Sequence, residues 1–103
     1  MASGTLGQAA PAANTNTTVY TVPSGLTATV NVNVVNRGSD PALVRLAIAA
    51  SGTPTNSEYI EYDAGILPND VLERTALVMS SQKLLVVYAD TANTSVNVYG
   101  FEE

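Results

Sequence analysis

Three carboxylates in one short stretch are the residues of this chain whose types and spacing could do chemistry. Glu61, Asp63 and Glu73 lie within residues 59–78, and hydrolysis of a glycosidic bond needs only two carboxylates placed across a cleft. If this stretch folds as two paired strands, Glu61 and Glu73 could supply them. The competing interpretation places all three on a solvated sheet face or at a subunit contact, because a chain of 103 residues leaves little room for a substrate cleft.

Most other catalytic and metal-binding chemistry lacks its residues. The chain has no histidine and no cysteine, which removes His-based triads, the usual general base near neutral pH, and zinc sites built from these ligands. The glycines are single and lie in turns or at strand ends, so no phosphate-binding loop is present. The aspartates lack the spacing of a calcium loop. We therefore predict that the chain is not an enzyme and takes no cofactor or metal.

Five tyrosines offer a different kind of site. Their rings could form a platform on which sugars stack. The alternative is that they are core or interface aromatics whose hydroxyl groups find hydrogen-bond partners. The tyrosines are Tyr20, Tyr59, Tyr62, Tyr88 and Tyr99.

Length and charge narrow the class of protein. A chain of 103 residues is near the commonest domain size, so we expect one domain. The net charge is −5 and the four basic residues are scattered, so we expect neither nucleic acid nor an anionic membrane as a partner. Only 13% of the residues are charged, against about 25% in typical domains. Such a surface suits contact with other protein.

The sequence shows no recognisable targeting segment. No apolar run approaches the roughly 20 residues of a membrane span. The N-terminus lacks the basic start and apolar middle of a signal peptide. We expect a soluble protein made in the cytoplasm.

The elements that must position these residues are short strands. Seven segments show the alternation or the β-branched and aromatic composition of strands, with turn residues between them. All five prolines fall outside these segments. The sequence therefore predicts an all-β fold, a single antiparallel β-sandwich of Ig-like or jelly-roll-like type. The predicted strands cover residues 17–22, 26–36, 43–50, 59–64, 71–78, 83–89 and 94–101.

Alternation also predicts which side chains face the core. In the second strand it directs five apolar side chains inward and a row of Thr and Asn to the other face, which is wet or at an interface. Residues 59–78 are predicted to form a hairpin. In it, Tyr62 faces the same side as Ile60, and Val78 faces the same side as Leu72.

The last two strands carry more specific expectations. Residues 83–89 are nearly all apolar, which predicts a central strand covered on both sides. Gly100 lies within the final strand, where a missing side chain permits close approach of another backbone. Glu102 and Glu103 follow, and their charge is expected to discourage further strand pairing.

Residues 1–16 are small and polar, and Leu6 is their bulky apolar side chain. A segment of this composition cannot bury enough surface to order itself. It is predicted to be a flexible N-terminal arm, followed by the β-sandwich domain at residues 17–103. Two outcomes stay open: a frayed terminus, or an arm that orders against a neighbouring subunit with Leu6 as its anchor.

Five segments carry a resemblance to known proteins. They are NTNTTVYTVPSG at 14–25, VNRG at 35–38, VRLAIA at 44–49, EYIEYDAGILPNDVLERTALV at 58–78 and VNVYGFEE at 96–103. As a set they resemble a family of small virion structural proteins of tailed bacteriophages. The pattern of a strand, a PSG turn and LPxxxxLE is also similar to sandwich units inside phage tail-fibre and tail-tip proteins. In this chain the last part of that pattern is Leu67, Pro68, Leu72 and Glu73.

The resemblance covers nearly the whole chain and implies a particle component with no catalytic residues. Two roles compete. One is a capsid decoration or cement protein that docks on the shell of major capsid protein, which suits the low charge, the Thr and Asn face and the N-terminal arm. The other is a tail, baseplate or fibre-associated module that acts as an adaptor or a host-contacting knob. Capsid decoration is favoured because the chain is short and lacks a fibre-forming repeat.

Both roles imply a homo-oligomer or repeated copies, since particles are built by symmetry. The expected location is the virion, on the capsid surface or alternatively on the tail, after synthesis in the host cytoplasm. A carbohydrate-binding module that uses the tyrosines is the third possibility, and an enzyme comes last. The residues predicted to contact a partner are Leu6, Pro11, Tyr20, Arg45, Tyr59, Glu61 and Phe101.

Overall fold

Two four-stranded antiparallel sheets form a sandwich in the computed structural model, which describes residues 2–103. Met1, the first residue of the predicted arm, lies outside the described residues. The prediction of an all-β sandwich is confirmed. A short 3-10 turn covers Asn56–Glu58. The strands are β1 (Ser3–Ala9), β2 (Thr17–Thr21), β3 (Ala28–Asn36), β4 (Ala42–Ala49), β5 (Tyr59–Ile66), β6 (Val71–Met79), β7 (Leu84–Ala89) and β8 (Thr94–Glu102).

The strand order is that of a jelly roll. Sheet A has the order β1-β8-β3-β6, and sheet B has the order β2-β7-β4-β5. The chain folds back once, at residues 50–58, and each strand of the first half pairs with its counterpart in the second: β1 with β8, β2 with β7, β3 with β6 and β4 with β5. Pairing of β3 with β8 and of β4 with β7 joins these ladders into two sheets. Of the two predicted variants, this order matches the jelly-roll-like one.

The core lies between the sheets and contains the alternating side chains that the sequence predicts. Val30, Val32 and Val34 of β3 are at most 1% exposed. Val96 and Val98 of β8 are aligned with two of them and are equally buried. Full burial of such a side chain is worth roughly 1.5–3 kcal/mol, so this layer contributes much of the stability.

The prediction of a central strand near residues 83–89 is also confirmed. β7 lies between β2 and β4. Leu85 and Val87 face the core, while Val86 packs on the opposite side against Ala47 and Ala49. Both faces of this strand are therefore covered, as its nearly continuous apolar sequence requires.

Residues 59–78 do not form the predicted hairpin. β5 belongs to sheet B and β6 to sheet A, so the connection between them crosses from one sheet to the other. Asn69 takes a left-handed conformation (φ 62°) in this turn, and the Asp70 N–H donates to the Leu67 carbonyl at 3.0 Å. The turn residues thus mark a chain reversal, but they do not specify the partner of each strand.

The predicted sides of Tyr62 and Val78 are wrong, because each strand contains a bulge. β6 carries one extra residue between Arg74 and Leu77, where Ala76 (φ 56°) is left-handed. β5 carries two, one between Tyr59 and Glu61 and one between Glu61 and Ala64, where Asp63 (φ 52°) is left-handed. One extra residue reverses every later side chain. Tyr62 and Val78 are therefore 59% and 67% exposed, and Leu77 packs on the core instead.

The structure does not show the predicted N-terminal arm. Ser3–Ala9 is strand β1 and pairs with β8 of the same chain. Leu6 packs against the main core, and Pro11 is buried. A Cβ at Gly7 would collide with the Val19 carbonyl oxygen, so the absence of a side chain lets β1 pass close to β2. Backbone pairing, which composition does not report, orders this segment.

Gly100 has the role that its position predicts. Its φ is 156°, and a Cβ there would overlap the Thr29 carbonyl oxygen and lie 2.9 Å from the Val30 Cα. The backbone of β3 can approach β8 this closely because the side chain is missing. The pairing of the two central strands of sheet A thus depends on this glycine.

One end of the sandwich is tied together by Asn36, which is fully buried. Its Nδ2 donates to the carbonyls of Asp40 (2.8 Å) and Ile66 (3.0 Å), and its Oδ1 accepts from the Gly38 N–H (2.9 Å). Its backbone carbonyl accepts from the Asn69 N–H at 2.9 Å. The VNRG and LPND segments that carry the family resemblance therefore meet at this residue and have a structural role.

Deleting residues 2–10 is expected to lower the free energy of unfolding by roughly 2–5 kcal/mol, because it uncovers core packed by Leu6 and exposes an edge of β8. Urea denaturation monitored by circular dichroism measures the change. Gln8→Ala, an exposed change in the same strand, should have little effect. If the deletion left the free energy of unfolding unchanged, these residues would be a detachable arm, as the sequence predicted.

Gly100→Ala is expected to destabilise the fold by roughly 2–4 kcal/mol, since the new methyl group must push β3 away from β8. Gly65→Ala is the matched control within a strand, because a Cβ at Gly65 meets nothing within 4 Å. Thermal unfolding of the two variants separates them. Equal unfolding midpoints for the two variants would contradict the close approach of β3 to β8 at Gly100.

Candidate functional site

The three carboxylates singled out by the sequence are not brought together. The Glu61 carboxylate pairs with Arg74, with Oε2 2.7 Å from Nη1. Asp63 pairs with Arg45, with Oδ1 2.7 Å from Nε. Glu73 precedes Arg74 on β6 and is exposed on the outer side of sheet A. Two of the three are therefore engaged by arginines, and the third points away from them, so they do not flank a common cleft.

Features that could hold a small ligand are few within residues 2–103. No group of three or more acidic side chains in that range is arranged to hold a metal ion. A shallow, open depression of about 390 Å³ lies beside the end of β1 and the start of β8, and none of its lining residues is titratable. In the described chain, no helix has the length and apolar character needed to cross a membrane. The two outer faces of the sandwich are the remaining candidates.

Face A is the surface formed by the side chains that sheet A directs away from the core. It is a broad, four-stranded surface with polar and apolar side chains. Their positions follow from the strand register and from alternation with the buried residues. Its members are Ser3, Thr5, Gln8, Thr29, Asn31, Asn33, Val35, Val71, Glu73, Val78, Ser95, Asn97, Tyr99 and Phe101.

Apolar side chains occupy both ends of face A. At one end Phe101 and Val78, 43% and 67% exposed, flank Thr29 in a single row across β8, β3 and β6. At the other end Val35 pairs with Val71. Phe101 and Val78 therefore lie in one row, on the two strands that flank β3, where a partner could cover them together.

Amide side chains occupy the middle of face A, and three of the four, Gln8, Asn31 and Asn97, are held by hydrogen bonds. Gln8 Nε2 donates to Asn97 Oδ1 at 2.8 Å, between β1 and β8. Asn31 Oδ1 accepts from the Ala76 N–H at 2.9 Å, which satisfies the backbone of the β6 bulge. These contacts fix the amides before any partner arrives, so less side-chain freedom is lost on binding.

Among the side chains that make up face A, only Glu73 is charged. Protein interfaces are depleted of charge at their centre and enriched in aromatic residues. Face A has this composition, with Phe101 and Tyr99 as its aromatic side chains. The regular Thr and Asn row of β3, predicted to be wet or at an interface, forms its middle.

The four edge strands are all irregular, whereas the central pairs are not. β1, β2, β5 and β6 each carry an extra residue against their neighbour. The β3–β8 and β4–β7 ladders run without a break. Bulged edges are poor templates for another strand. Contacts with a partner are therefore expected on the faces of the sandwich and not by addition of a strand.

The outer side of sheet B carries a cluster of aromatic and charged side chains. The Arg45 guanidinium lies over the Tyr62 ring (4.3 Å to its centroid) and over the Tyr88 ring (4.5 Å). Tyr59 meets Tyr62 edge to face, with 5.0 Å between ring centroids. The hydrogen bond that Arg45 Nε donates to Asp63 Oδ1 raises the pKa of Arg45 and fixes its guanidinium. We call these five residues the Arg45 cluster.

The β4–β5 connection covers part of the same side of sheet B. Ala47 and Ala49 are fully buried there, although they point away from the main core. Glu58 holds the connection by accepting from the backbone N–H groups of Thr55 (2.8 Å) and Ala50 (2.9 Å), and these bonds lower its pKa. The open part of this side is therefore the Arg45 cluster.

A buried pair links the two sheets near both ends of the chain. The Tyr20 hydroxyl of β2 donates to Glu102 Oε2 of β8 at 2.6 Å, and the Ala2 N–H donates to Oε1 at 3.1 Å. These bonds lower the pKa of Glu102, whereas burial and the carboxylate raise the pKa of Tyr20. The expectation that Glu102 repels a further strand is wrong, because β8 already has β1 and β3 as neighbours.

The residues predicted to contact a partner separate into three groups. Leu6, Pro11 and Tyr20 point into this chain's own fold and are not available as contacts. Three others lie on strands β4 and β5 of sheet B, and one of these, Glu61, forms an ion pair with Arg74 of sheet A. Phe101 lies on face A and stays a predicted contact. The residues in the second group are Arg45, Tyr59 and Glu61.

Sequence reasoning missed the exposed residues created by the bulges. Tyr62 and Val78 were assigned to the same sides as Ile60 and Leu72, yet both are exposed. Strict alternation gave no sign of the extra residues. The one available signal is Asp63, since Asp tolerates the left-handed conformation better than most residues.

Comparison of the chain with family models, with curated proteins and with solved structures returned no match. The fold defines the class: a jelly-roll sandwich with two open outer faces. Jelly rolls occur in viral capsid proteins, in lectins and in cupins. Fold alone does not choose among these, so function must be argued from the faces.

The free energy of unfolding should decrease as the pH is lowered, because Glu102 becomes protonated. Its pKa in the folded state is lowered, so its contribution is present above the unfolded value of about 4.3 and is lost as the pH falls through the folded pKa. Glu102→Gln is expected to melt at a lower temperature than the parent at pH 7. The difference in melting temperature between the two proteins should become smaller as the pH falls towards 3.

Two controls accompany the pH series. Tyr20→Phe removes the hydroxyl donor and leaves the carboxylate, so the acid sensitivity of stability should weaken without disappearing. Glu103→Gln changes an exposed neighbouring carboxylate and should behave as the parent. A constant gap between parent and Glu102→Gln at every pH would contradict this role for Glu102.

Proposed function

We propose that the chain is a non-enzymatic structural protein of a bacteriophage particle, present in many copies, which decorates the capsid by docking through face A on the shell of major capsid protein. The phage assignment rests on the sequence resemblance. The structural observation that carries the docking proposal is a broad sheet face with Glu73 as its charged member and Phe101 and Val78 exposed.

The size of face A is adequate for a specific contact. Sheet A has three strands of nine residues and one of seven. Strands rise about 3.3 Å per residue and lie about 4.8 Å apart, so the sheet covers at most on the order of 30 Å by 19 Å. Burying this area on both partners gives roughly 1,100 Å², just above the 1,000 Å² expected of a specific interface. One face of one copy would therefore bind modestly.

The docking mode differs from the one that the sequence favoured. Ser3–Ala9 is part of sheet A in this chain, so an arm laid on the shell is not available from these residues. The bulged edges argue against strand addition. Face A takes over the role that was assigned to the arm.

A tail, baseplate or fibre-associated module is the second candidate. One observation favours it: Ser3 lies opposite Phe101 in the β1–β8 ladder, so the chain enters and leaves the sandwich at the same point. Such a unit can be inserted into a loop of a longer protein without distorting either. A tail module would use the same face against a different partner.

The two candidates differ in copy number and in location. Counting copies per purified particle by mass spectrometry should give hundreds for a capsid decoration protein, and a few to a few dozen for a tail module. Absence from particles would overturn the assignment to a virion.

Docking through face A is tested by Val78→Lys. The lysine places a charge where the proposal buries an apolar side chain, so occupancy on particles lacking the protein should fall at least about tenfold. Leu67→Lys is the matched control, since Leu67 is 63% exposed in the connection between β5 and β6 against 67% for Val78. Equal occupancy of the two variants would move the contact away from face A.

A further inference from the structure

We propose that the Arg45 cluster is a carbohydrate-binding site, in which the exposed face of the Tyr62 ring stacks against the apolar face of a neutral pyranose. The site lies on sheet B, on the opposite side of the sandwich from face A. It goes beyond the structural role proposed above and does not depend on it. A copy docked through face A would direct this cluster away from the shell.

Tyr62 is the most exposed aromatic side chain of the Arg45 cluster. Arg45 covers one face of its ring at 4.3 Å, yet 59% of the residue stays exposed. The edge-to-face contact with Tyr59 and the stacked guanidinium hold the ring against the sheet. A rigid aromatic side chain loses little freedom on binding, which is what a small ligand of modest affinity needs.

The β5 bulge places this ring. On a regular strand Tyr62 would face the same side as Ile60, which packs on the core. An extra residue between Tyr59 and Glu61 reverses this relation and turns Tyr62 outwards, and a second one puts both Tyr62 and the left-handed Asp63 opposite Arg45. Bulges are frequently found where a side chain is re-aimed at a binding site, and a left-handed non-glycine residue costs stability. Here the strained conformation of Asp63 accompanies the exposure of an aromatic ring to solvent.

Polar groups suited to sugar hydroxyls lie beside the ring. The Asp63 side chain is 41% exposed, and its Oδ1 alone makes a short contact with Arg45, since Oδ2 lies 3.5 Å from Nη2. A carboxylate accepts from two hydroxyls at once, and a guanidinium donates to others. One stacking ring with an adjacent carboxylate and guanidinium therefore matches the C–H face and the hydroxyl edge of a pyranose.

The other tyrosines do not offer such a platform. Tyr88 has Arg45 over its ring and donates its hydroxyl to Asn14 Oδ1 at 2.9 Å. Tyr59 packs against the buried alanines of β4. Tyr20 is 7% exposed. Tyr99 lies half-buried on face A and serves as the internal comparison. A nucleic acid is a poor alternative ligand, because Arg45 is already neutralised by Asp63 and the chain carries a net charge of −5.

The test is an NMR titration of the ¹⁵N-labelled full chain with the methyl glycosides of glucose, galactose, mannose and N-acetylglucosamine. At least one of them should shift the amide signals of residues 45, 62 and 63 with millimolar affinity. Tyr62→Ala should weaken that binding at least about tenfold, whereas Tyr62→Phe should keep it within about twofold because the stacking face is retained.

Asp63→Asn tests the polar half of the site. Asn tolerates the left-handed conformation, so the bulge is kept while the charge is lost, and the affinity should fall about tenfold. Tyr99→Ala, on face A, should bind as the parent does. Absence of shifts with all four glycosides, shifts confined to face A, or equal binding by Tyr62→Ala and parent would each overturn the proposal. None of these results bears on attachment to particles, which Val78→Lys tests separately.

Discussion

The pairing of β8 with both β1 and β3 is the constraint on which the rest of the structure depends. The last strand of the chain lies between the first and the third, so sheet A cannot close until nearly the whole chain is present. Gly100 permits the close approach to β3, and Glu102 connects the end of β8 to Tyr20 in the other sheet. Contacts of this sequence separation are expected to make folding slow, since loop-closure entropy is lost before they form. The unbroken β3–β8 ladder also sets the spacing of the side chains on face A.

The irregularities of the sandwich are confined to its margins, and this decides where binding can occur. β1, β2 and β6 each gain one residue against their neighbour and β5 gains two, whereas the two central ladders keep their register. Bulges at the edge have two consequences. They make the edges unsuitable for pairing with another chain, and they turn residues such as Tyr62 and Val78 outwards. The same device that protects the sandwich from edge-to-edge aggregation therefore also creates its exposed aromatic and apolar side chains.

Sequence reasoning located seven of the eight strands and the buried side of β3, because alternation and turn residues are local signals. It missed β1, whose small polar residues are ordered by pairing with a strand about 90 residues away. It wrongly joined β5 to β6, since turn chemistry at Asn69 reports a reversal but not the sheet to which the next strand belongs. The candidate site was less accessible still. Phe101 and Arg45 lie on the outer faces to which alternation assigned them, but the exposure of Tyr62 follows from an extra residue that alternation cannot register.

The distribution of charge gives the two faces different physical characters. The net charge of −5 is carried by the ends of the sandwich, by sheet B and by Glu73 at the margin of face A. Copies bound side by side through a nearly neutral face would repel each other through the rest of their surfaces, but only within the Debye length of about 8 Å at physiological salt. Repulsion of this short range spaces neighbours without opposing attachment. On the far side, Asp63 neutralises Arg45, the arginine next to the tyrosines, so the sugar recognition proposed there would depend on ring stacking and directed hydrogen bonds rather than on net charge. A sandwich of this kind can hold one partner by shape and low polarity while offering a separate, rigid site to a small polar ligand.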